Sequence, residues 1–295
     1  MENKQNKNCK LLAESADSGD LETIKLLIEK EKVDIHSTDE YNHTALHNAA
    51  RKGHLEIVKY LIANGVNIET KVSIYNPITA LFCSVWKGHT EVAEFLLQQG
   101  ANKGILLDGH SILDKAILSN NPDTISLVLN SGFDIDCHST KRGLPPLSFA
   151  LTIKNHNSII FLLENGADHR RYCLEKKYSP LHYSTYISYT NEEQEKSDGF
   201  YVKILLDHVK RIEGEEGMMD YTNYNDTIKG WTALHQACYS RNYSAAKTLV
   251  EYGANLNIKD NEGKIPKDLL HRLDNSHVCN QIRAILQSSE QELTR

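Results

Sequence analysis

One distance recurs along this chain and governs what it can fold into. Thr44, which opens Thr44-Ala45-Leu46-His47, lies 21 residues before Gly65. The same separation links Thr79 of Thr79-Ala80-Leu81-Phe82 to Gly100, and Thr232 of Thr232-Ala233-Leu234-His235 to Gly253. It also links Ser111 to Gly132 and Pro145 to Gly166, where the tetrapeptides are degenerate. Ser179-Pro180-Leu181-His182 marks a further unit. Lys10 to Asp34 forms one at the N-terminus, with Gly19-Asp20 in register with Gly53-His54, and Ile265-Pro266-Lys267-Asp268 opens the last. Successive unit starts, from Lys10 to Ile265, lie 34, 35, 32, 34, 34, 53 and 33 residues apart. Such a period describes an array in which each unit is one supersecondary element that buries its apolar face against its neighbours.

The chemistry inside a unit agrees. In the second unit, Leu55, Val58 and Ile62 recur at spacings of three and four along its second helix, and Ile57, Tyr60 and Leu61 widen the apolar surface beyond one face. A lone helix pair could not keep that surface dry. Gly65 falls where the helix must stop, and glycine takes the left-handed cap without steric cost. The threonine of each tetrapeptide can cap the helix that follows.

The tetrapeptides, the turns Gly53-His54 and Gly88-His89, and the Gly-Val-Asn and Gly-Ala-Asn endings together resemble the ankyrin repeat, over residues about 8 to 289. The resemblance implies an all-α fold, a solenoid of about eight helix-turn-helix units with short β-hairpin fingers, between polar tails at 1–7 and 290–295. It implies that His47, His182 and His235 tie neighbouring backbones together. It also implies that Asn257 occupies the position asparaginyl hydroxylases modify in many ankyrin proteins.

The 53-residue interval breaks the period. Leu205-Leu206, the aliphatic pair of the sixth unit, falls nine residues late, so insertions are expected at 186–200 and 212–229. Charge is uneven around them. Residues 191–217 carry eight acidic and four basic side chains, whereas residues 138–178 carry seven basic and three acidic ones. Two readings of the basic fingers, which include Arg170 and Arg171, stay open: an acidic partner or anionic headgroup, or neutralisation by the acidic insertions folding back.

Most function classes lose ground on composition and motif. The net charge of −6 speaks against general nucleic-acid binding. No apolar run approaches the ~18 residues of a membrane helix. Residues 1–10 are polar, and the six cysteines are scattered without a CxxC pair, which points to a cytoplasmic, reduced protein. There is no GxxxxGK[ST], no strand-borne GxGxxG, no HExxH and no GxSxG. Cys137, His138, His169 and Cys173 include zinc-type ligands, but neighbours on extended chain point to opposite sides, so no metal or other cofactor is expected.

The expected function is therefore a protein-interaction scaffold, monomeric and non-enzymatic, that binds a partner protein on its concave face and fingers. The residues singled out are Tyr41, Arg51, Lys52, Tyr75, Trp86, Lys87, Arg170, Arg171 and Trp231, because Trp, Tyr and Arg dominate interface hot spots. Two alternatives are carried. One is an ankyrin-type bacterial effector delivered into the cytoplasm of a host cell, suggested by the tail Ser288-Ser289-Glu290-Gln291-Glu292. The other is an enzyme using the repeat-six insertion.

Overall fold

The computed structural model describes residues 4–72, 78–104, 106, 109–138, 143–186, 192–270 and 277–292, with side chains described outside 192–198 and 290–292. The protein is all-α, built from successive helix pairs, and no β-strand occurs among the described residues. It divides into two compact blocks, Met1–Asp134 with Ser139–Lys141, and Ile135–His138 with Arg142–Arg295. In the first, the inner and outer helices alternate as α1 (Lys4–Ser18), α2 (Leu21–Glu29), α3 (Ala45–Lys52), α4 (Leu55–Ala63), α5 (Ala80–Lys87), α6 (Thr90–Gln98), α7 (Ile112–Ser119) and α8 (Pro122–Asn130). The inner helices α1, α3, α5 and α7 pack in sequence order, and each outer helix packs on its own inner helix. In the second block, α9 (Pro146–Thr152), α10 (His156–Glu164), α11 (Pro180–Ser184), α12 (Glu192–Thr222), α13 (Ala233–Tyr239) and α14 (Tyr243–Glu251) follow the same order. A four-residue 3-10 turn at Pro266–Leu269 and α15 (His277–Glu292) close it.

The first residue of each tetrapeptide takes the N-cap place of an inner helix, and the side chains of Thr79, Ser111 and Thr232 cap it, whereas Thr44, Pro145 and Ser179 make no side-chain cap. Thr44, Thr79, Ser111 and Thr232 all sit in extended backbone immediately before a helix, and the Thr79 hydroxyl accepts from the Phe82 N–H. Ser111 adds a full capping box with Asp114. Outer helices start on Asp20, Asn121, Asn155 or Asn242, whose side chains accept the next free N–H groups. Where His54 or His89 takes that position instead, its ring does not cap its own helix.

Those rings reach the neighbouring repeat. His54 Nε2 lies 3.1 Å from the Asp17 carbonyl oxygen and His89 Nε2 lies 3.0 Å from that of Arg51. Asn121 and Asn242 do the same with a side-chain amide, donating to the Gly88 and Thr185 carbonyls at 2.9 and 3.1 Å. The tetrapeptide histidines make a second set. His47, His182 and His235 place Nε2 at 3.1, 2.9 and 3.1 Å from the carbonyls of Ile78, Trp231 and Lys264, each at the start of the next repeat. A carbonyl only accepts, so Nε2 must carry the proton and Nδ1 must accept. The hydroxyls of Thr44, Ser179 and Thr232 meet Nδ1 at 2.8, 2.9 and 2.9 Å and complete that tautomer. Burial keeps all three rings neutral, pushing the His47 pKa down to about 4 and lowering those of His182 and His235.

Several expectations are refined. The buried face of α4 is Ile57, Val58 and Leu61, while Leu55 and Ile62 are only half-buried, because the outer helix is covered from the inner helix and from the next outer helix at once. The fingers are tight turns rather than hairpins among the described residues. Thr38–Thr44 and Asn225–Thr232 form single antiparallel bridges, since turns this short leave no room for a ladder. The polar tail expected at 1–7 is helical from Lys4 onward, as α1. At the other end, α15 runs through Ser288 and Ser289 to Glu292, and the side chains from 290 on lie outside the described residues.

Repeat six departs from the plan through helix rather than through loop. Its inner helix α11 has only five residues, and its outer helix α12 spans 31, interrupted at Gly214 (φ 78°, ψ −172°). Most of the stretches expected as insertions, 192–200 and 212–222, are therefore helical. Leu205 and Leu206 still occupy the core, and α12 packs on α14.

Two predictions follow from these links. Gly53 has φ +81°, and a Cβ placed there would lie 2.5 Å from His89 Nδ1. Gly53→Ala should cost about 1–3 kcal/mol in urea unfolding, from strain and displacement of the His89 ring together. The histidines set a pH response. The unfolded His47 titrates near 6.5 and the folded one at about 4, so between these values the unfolded chain binds the extra proton. Stability is complete above about pH 6.5 and falls on acidification, by roughly 2 kcal/mol at about pH 5 from His47 alone. His47→Gln should be less stable at neutral pH but lose less on acidification, as read from urea midpoints at the two pH values.

Candidate functional site

The residue seven places after each unit start lies at the last turn of its inner helix or just beyond it. In the first block this position holds Asp17, Arg51, Trp86 and Leu118, and in the second Thr152, Tyr186 and Tyr239. Trp86, Leu118, Tyr186 and Tyr239 are all exposed despite being large and apolar.

In the first block, Asp17 of α1 receives two cations from α3. Its carboxylate lies 2.5 Å from an Arg51 guanidinium nitrogen and 3.3 Å from Lys52 Nζ. Arg51 also donates to Asn48 Oδ1 at 3.4 Å. Beside this cluster runs a groove of about 630 Å³, with Cys9, Ala13 and Asp17 on one wall and Asp39, Tyr41 and Arg51 on the other. The finger above it is shaped by Asp39. One carboxylate oxygen accepts from the Tyr41 and His43 N–H groups at 2.9 and 2.8 Å, and the other accepts from Asn48 at 3.1 Å. Burial opposes the Asp39 charge, but these donors outweigh it and hold the carboxyl below its ordinary range. Asn42 takes φ +61° at the tip, and Tyr41 projects with 70% of its surface exposed.

Trp86 sits one repeat further on, 43% exposed. Lys87 Nζ lies 5.0 Å from its ring centroid and Lys115 Nζ of α7 lies 5.3 Å from it. The indole is thus held between two cations, one from its own helix and one from the next, with a free edge to solvent. Tyr75 lies outside the described residues.

In the second block one cation of the expected basic finger, Arg170, is neutralised within the chain. Arg170 clasps Glu213 through Nε and a terminal nitrogen at 3.1 and 2.6 Å, and meets Asp220 at 3.0 Å. His169 Nε2 is 2.7 Å from the same Glu213 carboxylate. Arg170 holds the Glu213 pKa down at about 2. The guanidinium lies 5.3 Å from the ring centroid of Tyr221, whose hydroxyl donates to the His169 carbonyl and accepts from the Leu181 N–H. Arg170 is therefore engaged within the chain by the acidic α12, whereas Arg171 stays exposed.

Trp231 corrects an expectation. It is 6% exposed, its indole N–H donates to Asp260 at 3.1 Å, and its own N–H is bound by Asp226 at 2.9 Å. The bulky ring fills the space between two fingers and faces the core of the stack, so it is withdrawn from the surface. Tyr186, by contrast, was hidden by its place at the start of the expected insertion, although counting seven from Ser179 reaches it. The histidine–cysteine set does not converge. His138 Nε2 meets the Tyr172 carbonyl at 3.1 Å, His169 faces Glu213 and Cys173 is buried, and among the described residues no three His, Cys, Asp or Glu side chains gather as a metal site. Asn257 is exposed in the turn after α14.

Comparison with known proteins decides the family. The profile of ankyrin repeats matches residues 11–106, 69–139 and 147–260. This chain belongs to the ankyrin-repeat family. An ankyrin repeat protein of Fowlpox virus (strain NVSL) is 30% identical over 178 residues, 58% of this chain and 46% of that protein. The human transient receptor potential cation channel subfamily A member 1 is 23% identical over 289 residues, 85% of this chain and 25% of the channel. The chain spans less than half the length of these curated relatives. Among solved structures, the ankyrin repeat domain of human ASB11 superposes with a TM-score of 0.59 at 24% identity, covering 82% of this chain and 98% of the other. A chain in the complex of a predatory endopeptidase from Bdellovibrio bacteriovorus with an immunity protein gives a TM-score of 0.55 at 30% identity, covering 67% and 97%. Ankyrin repeats are generally protein–protein interaction modules. No helix among the described residues is long and apolar enough to cross a membrane.

The contrast between the two tryptophans is testable on stability alone. Trp231→Ala should cost about 3–5 kcal/mol by chemical denaturation, since it opens a cavity and removes the indole donor to Asp260 Oδ2. A loss under about 1 kcal/mol would return Trp231 to the surface.

Proposed function

We propose that the ankyrin-repeat protein is a non-enzymatic recognition scaffold that binds a partner protein on the inner-helix surface of its first block and the adjoining fingers. The observation that carries this reading is Trp86, a large ring left substantially exposed at a helix end where core packing does not require it, and braced by Lys87 and Lys115. Tyr41 supplies a second rigid aromatic at a finger tip, and the groove between finger and α1 offers a recess beside it. Arg51 and Lys52 contribute one net positive charge after pairing with Asp17. Ordered aromatics next to restrained cations give contact area at low entropic cost.

The likeness to a chain of the endopeptidase–immunity protein complex supports a protein ligand, because a chain of this fold there takes part in a protein assembly. In this reading the protein works as a monomer in the cytoplasm and takes no nucleic acid. Trp86→Ala should weaken partner binding by roughly 2 kcal/mol, about thirtyfold, in titration calorimetry, while the unfolding midpoint falls little. A lowered melting temperature with unchanged affinity would instead make Trp86 a stacking residue and remove the surface.

A further inference from the structure

The second block repeats one side-chain constellation in adjacent repeats. In repeat six, Lys176 stands three residues before the tetrapeptide start, Tyr178 one before and Tyr186 seven after. In repeat seven the same places hold Lys229, Trp231 and Tyr239. The folded geometry is also duplicated. Lys176 Nζ lies 5.9 Å from the Tyr178 ring centroid and 5.7 Å from that of Tyr186. Lys229 Nζ lies 4.0 Å from that of Trp231 and 5.7 Å from that of Tyr239. The inner aromatic of each trio is buried and its outer tyrosine is exposed, Tyr186 at 42% and Tyr239 at 59%. Each trio is therefore a slot, with an ammonium held over a buried ring and an open phenol beside it.

The two slots are fixed relative to one another. Inner helices α11 and α13 pack directly, and the His182 ring ties itself to the Trp231 carbonyl. Neighbouring packed helices lie about 8–10 Å apart, and an extended chain advances about 3.3 Å per residue, so the slots stand about three residues apart along an extended ligand.

Charge selects the ligand. Neither Lys176 nor Lys229 forms an ion pair among the described residues, and their contacts there are with aromatic faces. The nearby carboxylate of Asp226 is buried and committed to the N–H groups of Ile228, Lys229 and Trp231. Of the other cations in this finger, Arg170 is consumed by Glu213 and Asp220, Lys177 lies over the Tyr172 ring and Arg171 is exposed. Two discrete ammonium groups in a chain of net charge −6 make a poor match for a phosphodiester backbone or a bilayer, which call for a broad basic field. They suit separate carboxylates, and the tyrosines suit the apolar side chains between them.

We infer that units six and seven form a docking strip for an acidic, extended peptide segment of a partner protein, with carboxylates about three residues apart seated on Lys176 and Lys229. This surface is additional to the Trp86 surface and stands whether or not that one binds. The test uses the full chain and a fluorescein-labelled peptide of three Glu-Val-Thr triplets, followed by anisotropy. Saturable binding is expected at low salt, weakened by high salt. Lys176→Glu with Lys229→Glu should weaken it by about tenfold or more at an unchanged melting temperature, and Tyr239→Ala should weaken it several-fold. Trp86→Ala should leave it unaltered, which separates this strip from the first-block surface. The proposal is overturned by equal affinity for a peptide of Lys-Val-Thr triplets, by indifference to the lysine reversals, or by no saturation at about 1 mM peptide. It is also overturned if binding emerges only after Glu192, Glu193 and Glu195 are changed to Gln, which would make this chain's own acidic segment the occupant. Capture by phosphatidylserine vesicles without peptide binding would assign the strip to membranes instead.

Discussion

The structure depends on a neutral imidazole held between a hydroxyl and a carbonyl. His47, His182 and His235 each accept from the cap of their own helix and donate to the backbone that opens the next repeat. One such hydrogen bond contributes only about 1 kcal/mol net, yet an unmade one in the same buried place would cost more than that. The bond therefore acts mainly as a constraint on register. A repeat stacked one residue out of place would leave a buried N–H and a buried carbonyl unsatisfied together.

A second row of links, from His54, His89, Asn121 and Asn242, runs at the turn between inner and outer helices. At the junctions of repeats two with three and six with seven both rows are present and hold the inner helices at both ends, which leaves the last turn there to carry other residues. The residues found there vary widely: Asp17, Arg51, Trp86, Leu118 and Thr152 differ in chemistry, and only Tyr186 and Tyr239 repeat. Within each block, a scaffold fixed by its backbone contacts and variable at the ends of its inner helices is the physical form of a recognition surface.

The same separation explains the fate of the charges. The sequence left the basic fingers between two readings, and the structure divides them. Arg170 meets Glu213 and Asp220 because Gly214 interrupts α12 just where its acidic end passes the finger. Lys176 and Lys229 instead settle on aromatic rings, and cation–aromatic contacts leave a charge available in a way that a bidentate carboxylate does not.

The sequence by itself determined the fold class and the order of the helix pairs, because these rest on local signals repeated at a constant spacing, and the family resemblance implied the duty of His47, His182 and His235. A capping threonine, a left-handed glycine and a buried aliphatic pair each act within a few residues, and recurrence makes the assignment secure. It also located the irregularity in repeat six from the 53-residue interval and the late Leu205-Leu206 pair. Only the tertiary structure decided that the extra residues there extend a helix and turn it back upon Arg170. It alone decided that Trp231 is buried while Trp86 is not, although both sit close to a tetrapeptide. Burial of a side chain depends on what the neighbouring repeat places against it: Asp260 and Lys229 close over Trp231, whereas Lys87 and Lys115 flank Trp86 and leave an edge open. Asp260 and Lys115 each lie 29 residues away in sequence from the ring they meet, and the period says that such neighbours come together without saying which atoms touch.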